Sequence, residues 1–345
     1  MVMKKAFYTV VVITILALSL IPACTAAVPD TTPAPQKITL NFVDQWKLDH
    51  FVVKNVMEVF AEIEKRSKGR LEIIRTGGAE IIPAADQLTA CGKGSIDMVV
   101  GATTYFAGVV PEAAILGLPV VPWNFNTEFK LSNAVGDDLD KIFQKKVNVK
   151  CLLSSYCPCG MYIFTNTKEV TSVADMKGLK IRTIGGLDSL LLDALGAVPT
   201  RVASAEVYSA AERGIIDGGS RPTAAVIDWK EYEVWKYMVK TPLSFQPLCQ
   251  FFINLDTWNK LPSDIQKLLI DTPLAISPSW LKYYEDTENA AIAALAAKGV
   301  KVVDLKPDEI KKWQSIPVPV AEAYFLKQNP ENGQLLLDEL KTAAK

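Results

Sequence analysis

Lys37-Ile-Thr-Leu-Asn-Phe-Val-Asp44 alternates apolar and polar side chains, the two-residue period of a strand with one face in a core. Phe51 to Lys68 follows, with Val52, Val56, Val59, Phe60 and Ile63 at helical spacing and Gly69 as a stop. Leu71 to Arg75 then resumes strand character. Strand, amphipathic helix and strand in succession are the unit of a parallel sheet, so this stretch assigns the chain to the α/β class.

The alternation continues with a helix over Ala84 to Gly92, a strand over Met98 to Val100, and further units through Ile181. Leu187, Leu190, Leu191, Ala194 and Leu195 form one helical face closed by Gly196, and Glu206 to Gly214 forms a shorter helix. Gln250 to Asn254 returns to β character. Ser263 and Gln266 behind Pro262 read as a capping box opening a helical region that runs to about Lys298. Pro273 and Pro278 are expected to kink or interrupt that region. A strand at Lys301 to Leu305 and terminal helices follow, and no internal repeat is seen after Pro35.

In the other direction, residues 1–24 read as a signal peptide: Lys4 and Lys5, an apolar run from Ala6 to Pro22, then small residues. Ile21-Pro22-Ala23-Cys24 approximates a lipobox, while Ala26 and Ala27 would serve an ordinary signal peptidase, so lipidation of Cys24 and simple cleavage both fit. Residues 25–36 form a Pro/Thr-rich linker. The expected location is the periplasm, freely soluble or tethered through Cys24.

The formal charge of −1 becomes −3 once Lys4 and Lys5 leave, which excludes an electrostatic case for nucleic acid. A mature chain of about 310 residues is expected to divide its core into two domains. Its cysteines, at 24, 91, 151, 157, 159 and 249, have no scaffold spacing and read as buried thiols. Cys157-Pro158-Cys159 has no histidine cluster beside it, so neither a metal site nor a cofactor is expected. The sequence holds no G-x-S-x-G elbow, phosphate loop, dinucleotide fingerprint or H-E-x-x-H helix, and the chain reads as a binder, not an enzyme.

Several elements in register resemble the DctP-type solute-binding subunits of TRAP transporters. The most specific is Ser172-Val-Ala-Asp-Met-Lys-Gly-Leu-Lys-Ile-Arg182. Leu195-Gly-Ala-Val-Pro199, Glu206-Val-Tyr208, Arg213-Gly-Ile-Ile-Asp-Gly218 and Asn254-Leu-Asp-Thr-Trp258 with Leu261-Pro262 follow it. Upstream, Ser67-Lys-Gly69, Gly94-Ser-Ile-Asp97 and Leu118-Pro119 fall in the matching places.

The resemblance implies a two-lobe periplasmic-binding-protein-like fold of type II design, with hinge strands and a long kinked helix spanning both lobes. We place lobe I at 37–158 plus 246–286 and lobe II at 159–245 plus 287–345. It also implies capture of a small organic acid by lobe closure and delivery to the small and large membrane subunits of a TRAP permease, by a monomer. A sensory subunit and a hydrolase of organic acid esters are the alternatives that a two-lobed cleft leaves open.

Arg182 ends an apolar strand just before Gly185-Gly186 and a helix. Its planar fork suits a carboxylate, and the glycines allow close backbone approach. The resemblance makes Arg182 the carboxylate ligand. A second arginine frequent in the family is replaced by Met161 or by Gly160, and Arg221 either restores that charge from another wall, admitting a dicarboxylate, or faces solvent, leaving a monocarboxylate. Gln45 and Trp46, at the end of the first strand, and Tyr105 are further candidates for contact. Met161, Phe245, Trp123 and Phe251 are candidate walls, and His50 reads as a helix-start residue with a satisfied ring.

Overall fold

The structure, a computed structural model, describes residues 37–345 apart from 47, 49, 122, 123, 126, 154–157 and 248. The leader and linker at 1–36, and with them Cys24, lie outside the described residues, as do Trp123 and Cys157. Among the described residues no helix is long and apolar enough to cross a membrane.

In chain order the first half comprises β1 (Ile38–Asp44), α1 (Phe51–Arg66), β2 (Leu71–Gly77), α2 (Gln87–Gly92), β3 (Met98–Gly101), α3 (Glu128–Val147), β4 (Val149–Leu153) and β5 (Pro158–Thr165). There follow β6 (Lys180–Thr183), α4 (Leu187–Ala194), β7 (Val198–Arg201), α5 (Val207–Glu212), β8 (Gly218–Arg221), α6 (Thr223–Asp228), β9 (Tyr237–Val239) and β10 (Ser244–Pro247). The last part holds β11 (Gln250–Asn254), α7 (Leu255–Lys260), α8 (Ser263–Ala297), β12 (Lys301–Val303), α9 (Pro307–Ser315), α10 (Val318–Gln328) and α11 (Gly333–Ala343).

The strands form two mixed sheets, so the α/β class and the two-lobe design hold. One sheet has the order β2-β1-β3-β11-β4, and the other the order β12-β9-β5-β8-β6-β7. In the first, β1 lies parallel to both β2 and β3, as expected when amphipathic helices make the crossovers. Leu40 and Phe42 pack with Val52, Val56 and Phe60 of α1, while Val43 enters a second cluster with Val99 and Phe252. Both faces of β1 are thereby covered near its C-terminal end. Phe251 lies in the first of these clusters, 1% exposed, which makes it a core residue and not a cleft wall.

Two strands carry the chain between the sheets. β5 pairs antiparallel with β10 through Pro158 to Met161, and with β8 through Tyr162 to Thr165. β4 leads into β5 and β10 leads into β11, so a two-stranded ribbon joins the sheets. α8 is the third link, packing on α1 and β4 of the first sheet and on α6 and β12 of the second.

Several local expectations are corrected. α8 runs unbroken from Ser263 to Ala297 with Pro273 and Pro278 inside it, so neither proline interrupts the helix. The capping box does not form either. Pro262 is the cap residue, and the Gln266 amide donates instead to the Trp258 carbonyl at 2.8 Å, tying α8 to α7. The expected helix at Ala84 begins as a 3₁₀ turn, Ala84–Asp86, before α2.

The C-terminal end of β1 is fixed by a buried ion pair. Asp44, 1% exposed, accepts from Arg75 Nε at 2.6 Å and Nη2 at 3.1 Å, and Arg75 Nη2 also donates to the Trp46 carbonyl at 2.9 Å. The Asp44 partner raises the pKa of Arg75. Removing one member leaves a charge without its counterion in the interior, so Arg75→Ala is expected to lower stability by about 3 kcal/mol in urea unfolding. A loss below about 1 kcal/mol would mean that the pair behaves as an exposed one.

Candidate functional site

β6 sits between β7 and β8, with Arg182 in register with Thr200 on one side and Gly219 on the other. Gly218 allows this tight arrangement. A side chain at Gly218 would start 2.3 Å from the Phe164 carbonyl, whereas one at Gly219 would make ordinary contacts at 3.4 to 3.6 Å with Arg221, Trp235 and Arg182.

Arg182 is 1% exposed. Its Nε donates to the Val202 carbonyl at 3.0 Å, Nη1 to the Ser220 carbonyl at 3.3 Å and Nη2 to Ser204 Oγ at 2.9 Å. Every acceptor is neutral. Of the five N–H groups of a guanidinium, one on each terminal nitrogen is left over, the pair that a carboxylate takes bidentately. Among the described residues Arg182 makes no ion pair. Burial first, then the positive charge of Arg221, pulls its pKa down to about 10, against the opposing influence of Asp188, Glu231 and Tyr105.

Arg221 is also buried, at 3% exposure, so it is not the solvent-facing loop residue that one reading allowed. It is paired. Nε donates to Glu231 Oε2 at 2.9 Å, Nη2 donates to Oε1 at 2.5 Å, and Nη1 reaches Ser204 Oγ at 3.3 Å. Glu231 is 0% exposed and also accepts from the Trp235 indole at 3.3 Å. The Ser204 hydroxyl thus sits between both arginines.

Asp188, in the first turn of α4, accepts from Thr183 Oγ1 at 2.7 Å and Ser220 Oγ at 3.0 Å. Burial pushes its pKa up despite those bonds. The chain enters α4 through Gly185 at φ +101° and Gly186 at φ +59°, a left-handed path that favours glycine. Gly185, Gly186 and Asp188 border a cavity of about 190 Å³ whose lining also includes Thr103 and Phe325. Arg182 does not line it.

The remaining candidates are placed as follows. Tyr105 is 55% exposed and lies within electrostatic reach of Arg182. Met161, 5% exposed, lies in the β5–β10 ribbon opposite Ser244. Gln45 has its side chain bound to the Ala102 backbone, accepting at 2.9 Å and donating at 3.5 Å. Trp46 is half-buried and stacks on His50, whose ring accepts from the Val52 N–H at 3.3 Å and so caps α1. Phe245 packs edge-on against Phe125 and lines a separate cavity of about 380 Å³ with Leu243 and Val120. Arg182 and Arg221 are therefore neighbours with Tyr105 in electrostatic reach, while Gly185 borders the cavity and Gln45, Trp46 and Phe245 are engaged elsewhere. Cys91 and Cys249 are buried thiols.

Sequence reasoning missed Glu231, Asp188, Ser204, Tyr162 and Glu288. Tyr162 lies opposite Arg221 in the β5–β8 ladder, and Glu288 of α8 accepts from Thr223 Oγ1 at 2.7 Å and from the Tyr162 hydroxyl. Burial raises the pKa of Glu288 from 4.5 to about 7. The folded chain therefore keeps a proton that the unfolded chain releases. This contribution to stability is full below pH 4.5 and fades as pH rises to about 7, by about 2 to 3 kcal/mol. Glu288→Gln should flatten urea-derived stability between pH 5 and 8, and an unchanged slope would exclude Glu288 as its source.

The family described as DctP, bacterial extracellular solute-binding protein family 7, matches residues 42–328. A solute-binding protein of Albidiferax ferrireducens is 29% identical over 285 residues, 80% of this chain and 82% of that one. The 2,3-diketo-L-gulonate-binding periplasmic protein YiaO of Escherichia coli is 26% identical over 323 residues, covering 92% and 95%. A TRAP periplasmic solute-binding protein of Desulfovibrio salexigens, solved with bound orotic acid, superposes with a TM-score of 0.77 at 22% identity, covering 89% of this chain and 99% of its own.

Proposed function

The chain belongs to the DctP family of extracellular solute-binding proteins, the receptors of TRAP transporters, and from that premise we propose that it holds a small organic acid by its carboxylate on Arg182. The observation that carries this reading is a buried guanidinium with two N–H groups to spare and no ion pair among the described residues. An unpaired cation in the interior is costly, and a ligand carboxylate offsets that cost with two charge-assisted bonds. Arg221, Gly185 and Tyr105 form the surround, and Met161 lies in the connecting ribbon.

Since Arg182 is 1% exposed, the ligand reaches it only when the walls part. We assign lobe I to 37–158 plus 246–286 and lobe II to 159–245 plus 287–345. In support, β1 to β4 and β11 fall in the first, β6 to β9 and β12 in the second, and both boundaries near 158 and 246 fall inside the β5–β10 ribbon. α11 crosses back to pack on α3. Bending of that ribbon opens the cleft, and closure presents the loaded receptor to the small and large membrane subunits. The chain acts outside the cytoplasm as a receptor that releases its acid unchanged.

Mass spectrometry of the acid eluted from the purified protein identifies a ligand for titration calorimetry. Arg182→Ala is expected to weaken binding at least 100-fold, about 3 kcal/mol, because the buried carboxylate loses its partner. Arg182→Lys should recover only part, having charge but no fork. Affinity retained in the alanine variant would displace the anchor from Arg182.

A further inference from the structure

We propose that Glu231 is the residue that sets the charge of the ligand: by pairing with Arg221 it leaves Arg182 as the one guanidinium of the two without a bonded carboxylate and selects monocarboxylates over dicarboxylates. The inference rests on Arg182 being the anion anchor, and it deepens that reading.

The two arginines meet at Ser204, with Arg182 Nη2 at 2.9 Å and Arg221 Nη1 at 3.3 Å from its Oγ. Two guanidinium groups so placed would suit the two ends of a short diacid. They are not equivalent, however. Glu231 holds Arg221 through Nε and Nη2, and it is 0% exposed, so no solvent screens the pair. A second acid end arriving at Arg221 would meet the Glu231 carboxylate beside it, and like charges at that distance repel.

The other groups acting on Arg182 are Asp188 and Tyr105. Asp188 is hydrogen-bonded to Thr183 and Ser220, not to either arginine. With Asp188 charged the four buried groups cancel, and with it protonated they carry one positive charge. Neither count accommodates two carboxylates. Glu231 does not touch the proposed ligand position, so it acts through Arg221 as a positioning residue. The Trp235 indole, donating to Oε2 at 3.3 Å, fixes its carboxylate toward Arg221.

The test is calorimetric titration of matched acids, butyrate against succinate and benzoate against phthalate, into the wild type, Glu231→Gln, Glu231→Asp and Arg182→Ala. The wild type should favour the monoacid of each pair. Glu231→Gln, which keeps the shape and one acceptor but frees the charge of Arg221, should move the ratio toward the diacid at least tenfold, and Glu231→Asp should restore the wild-type order. A wild type that takes the diacid at least as well overturns the proposal even if the glutamine variant fails to fold. So does an unmoved ratio in a folded Glu231→Gln protein. If Arg182→Ala loses both acids while the Glu231→Gln ratio stays put, the charge-setting role fails and the anchor stands. Binding retained in Arg182→Ala removes the anchor and the inference with it.

Discussion

A guanidinium kept in the interior with only neutral acceptors is the constraint around which the second sheet is arranged. Arg182 needs three acceptors to tolerate burial, and they come from three segments: the Val202 carbonyl after β7, the Ser220 carbonyl in β8 and the Ser204 hydroxyl in the turn before α5. That demand accounts for the closeness of β8. Glycine at 218 lets the strand press between β5 and β6, where a Cβ would strike the Phe164 carbonyl. Partial charges on carbonyl oxygens stabilise the cation without neutralising it, so the site stays receptive to an anion.

The same sheet connects the site to the ribbon that joins the lobes. β5 pairs with β10 over its first half and carries Tyr162, opposite Arg221, at the start of its second. The Tyr162 hydroxyl reaches Glu288 of α8, which also binds Thr223 directly after β8. The crossing strand, the arginine-bearing strand and the long helix are thus bonded at one point. Farther along α8, the Tyr284 hydroxyl accepts from the Asn55 amide of α1 at 2.9 Å, which fastens the helix to the first lobe. Tyr284 and Glu288 are one helical turn apart, so the transition from one lobe to the other occupies a single turn of α8.

The fold was legible wherever burial imposes a period. The alternation in Ile38–Asp44 and the apolar stripe in Phe51–Arg66 gave their elements to within two residues, because one face of each must be dry. Departures came where tertiary contacts outweighed local signals. Ser263 and Gln266 fit a capping box, yet Gln266 finds a better acceptor in the Trp258 carbonyl. Pro273 and Pro278 read as a kink or an interruption, and α8 runs through both while packing on elements of both sheets. At the site, Arg182 stood out only through its motif, and physics alone left it equal to a surface arginine. Glu231 was illegible. It sits in Lys230-Glu-Tyr-Glu233, which reads as a solvated charge run, and nothing in ten residues of separation shows that one of its glutamates is fully buried against Arg221.

The pairing of Arg221 with Glu231 also bears on why the site can be built at all. Two buried guanidinium groups sharing one hydroxyl would each pay desolvation and repel the other, several kcal/mol in total. A fork-to-fork carboxylate removes most of that for Arg221, and the indole of Trp235 saturates the same carboxylate. Arg182 is left as the one arginine of the two without a bonded carboxylate, its pKa drawn down to about 10 by burial and by Arg221. The free energy withheld from the empty fold at Arg182 becomes available when an anion arrives.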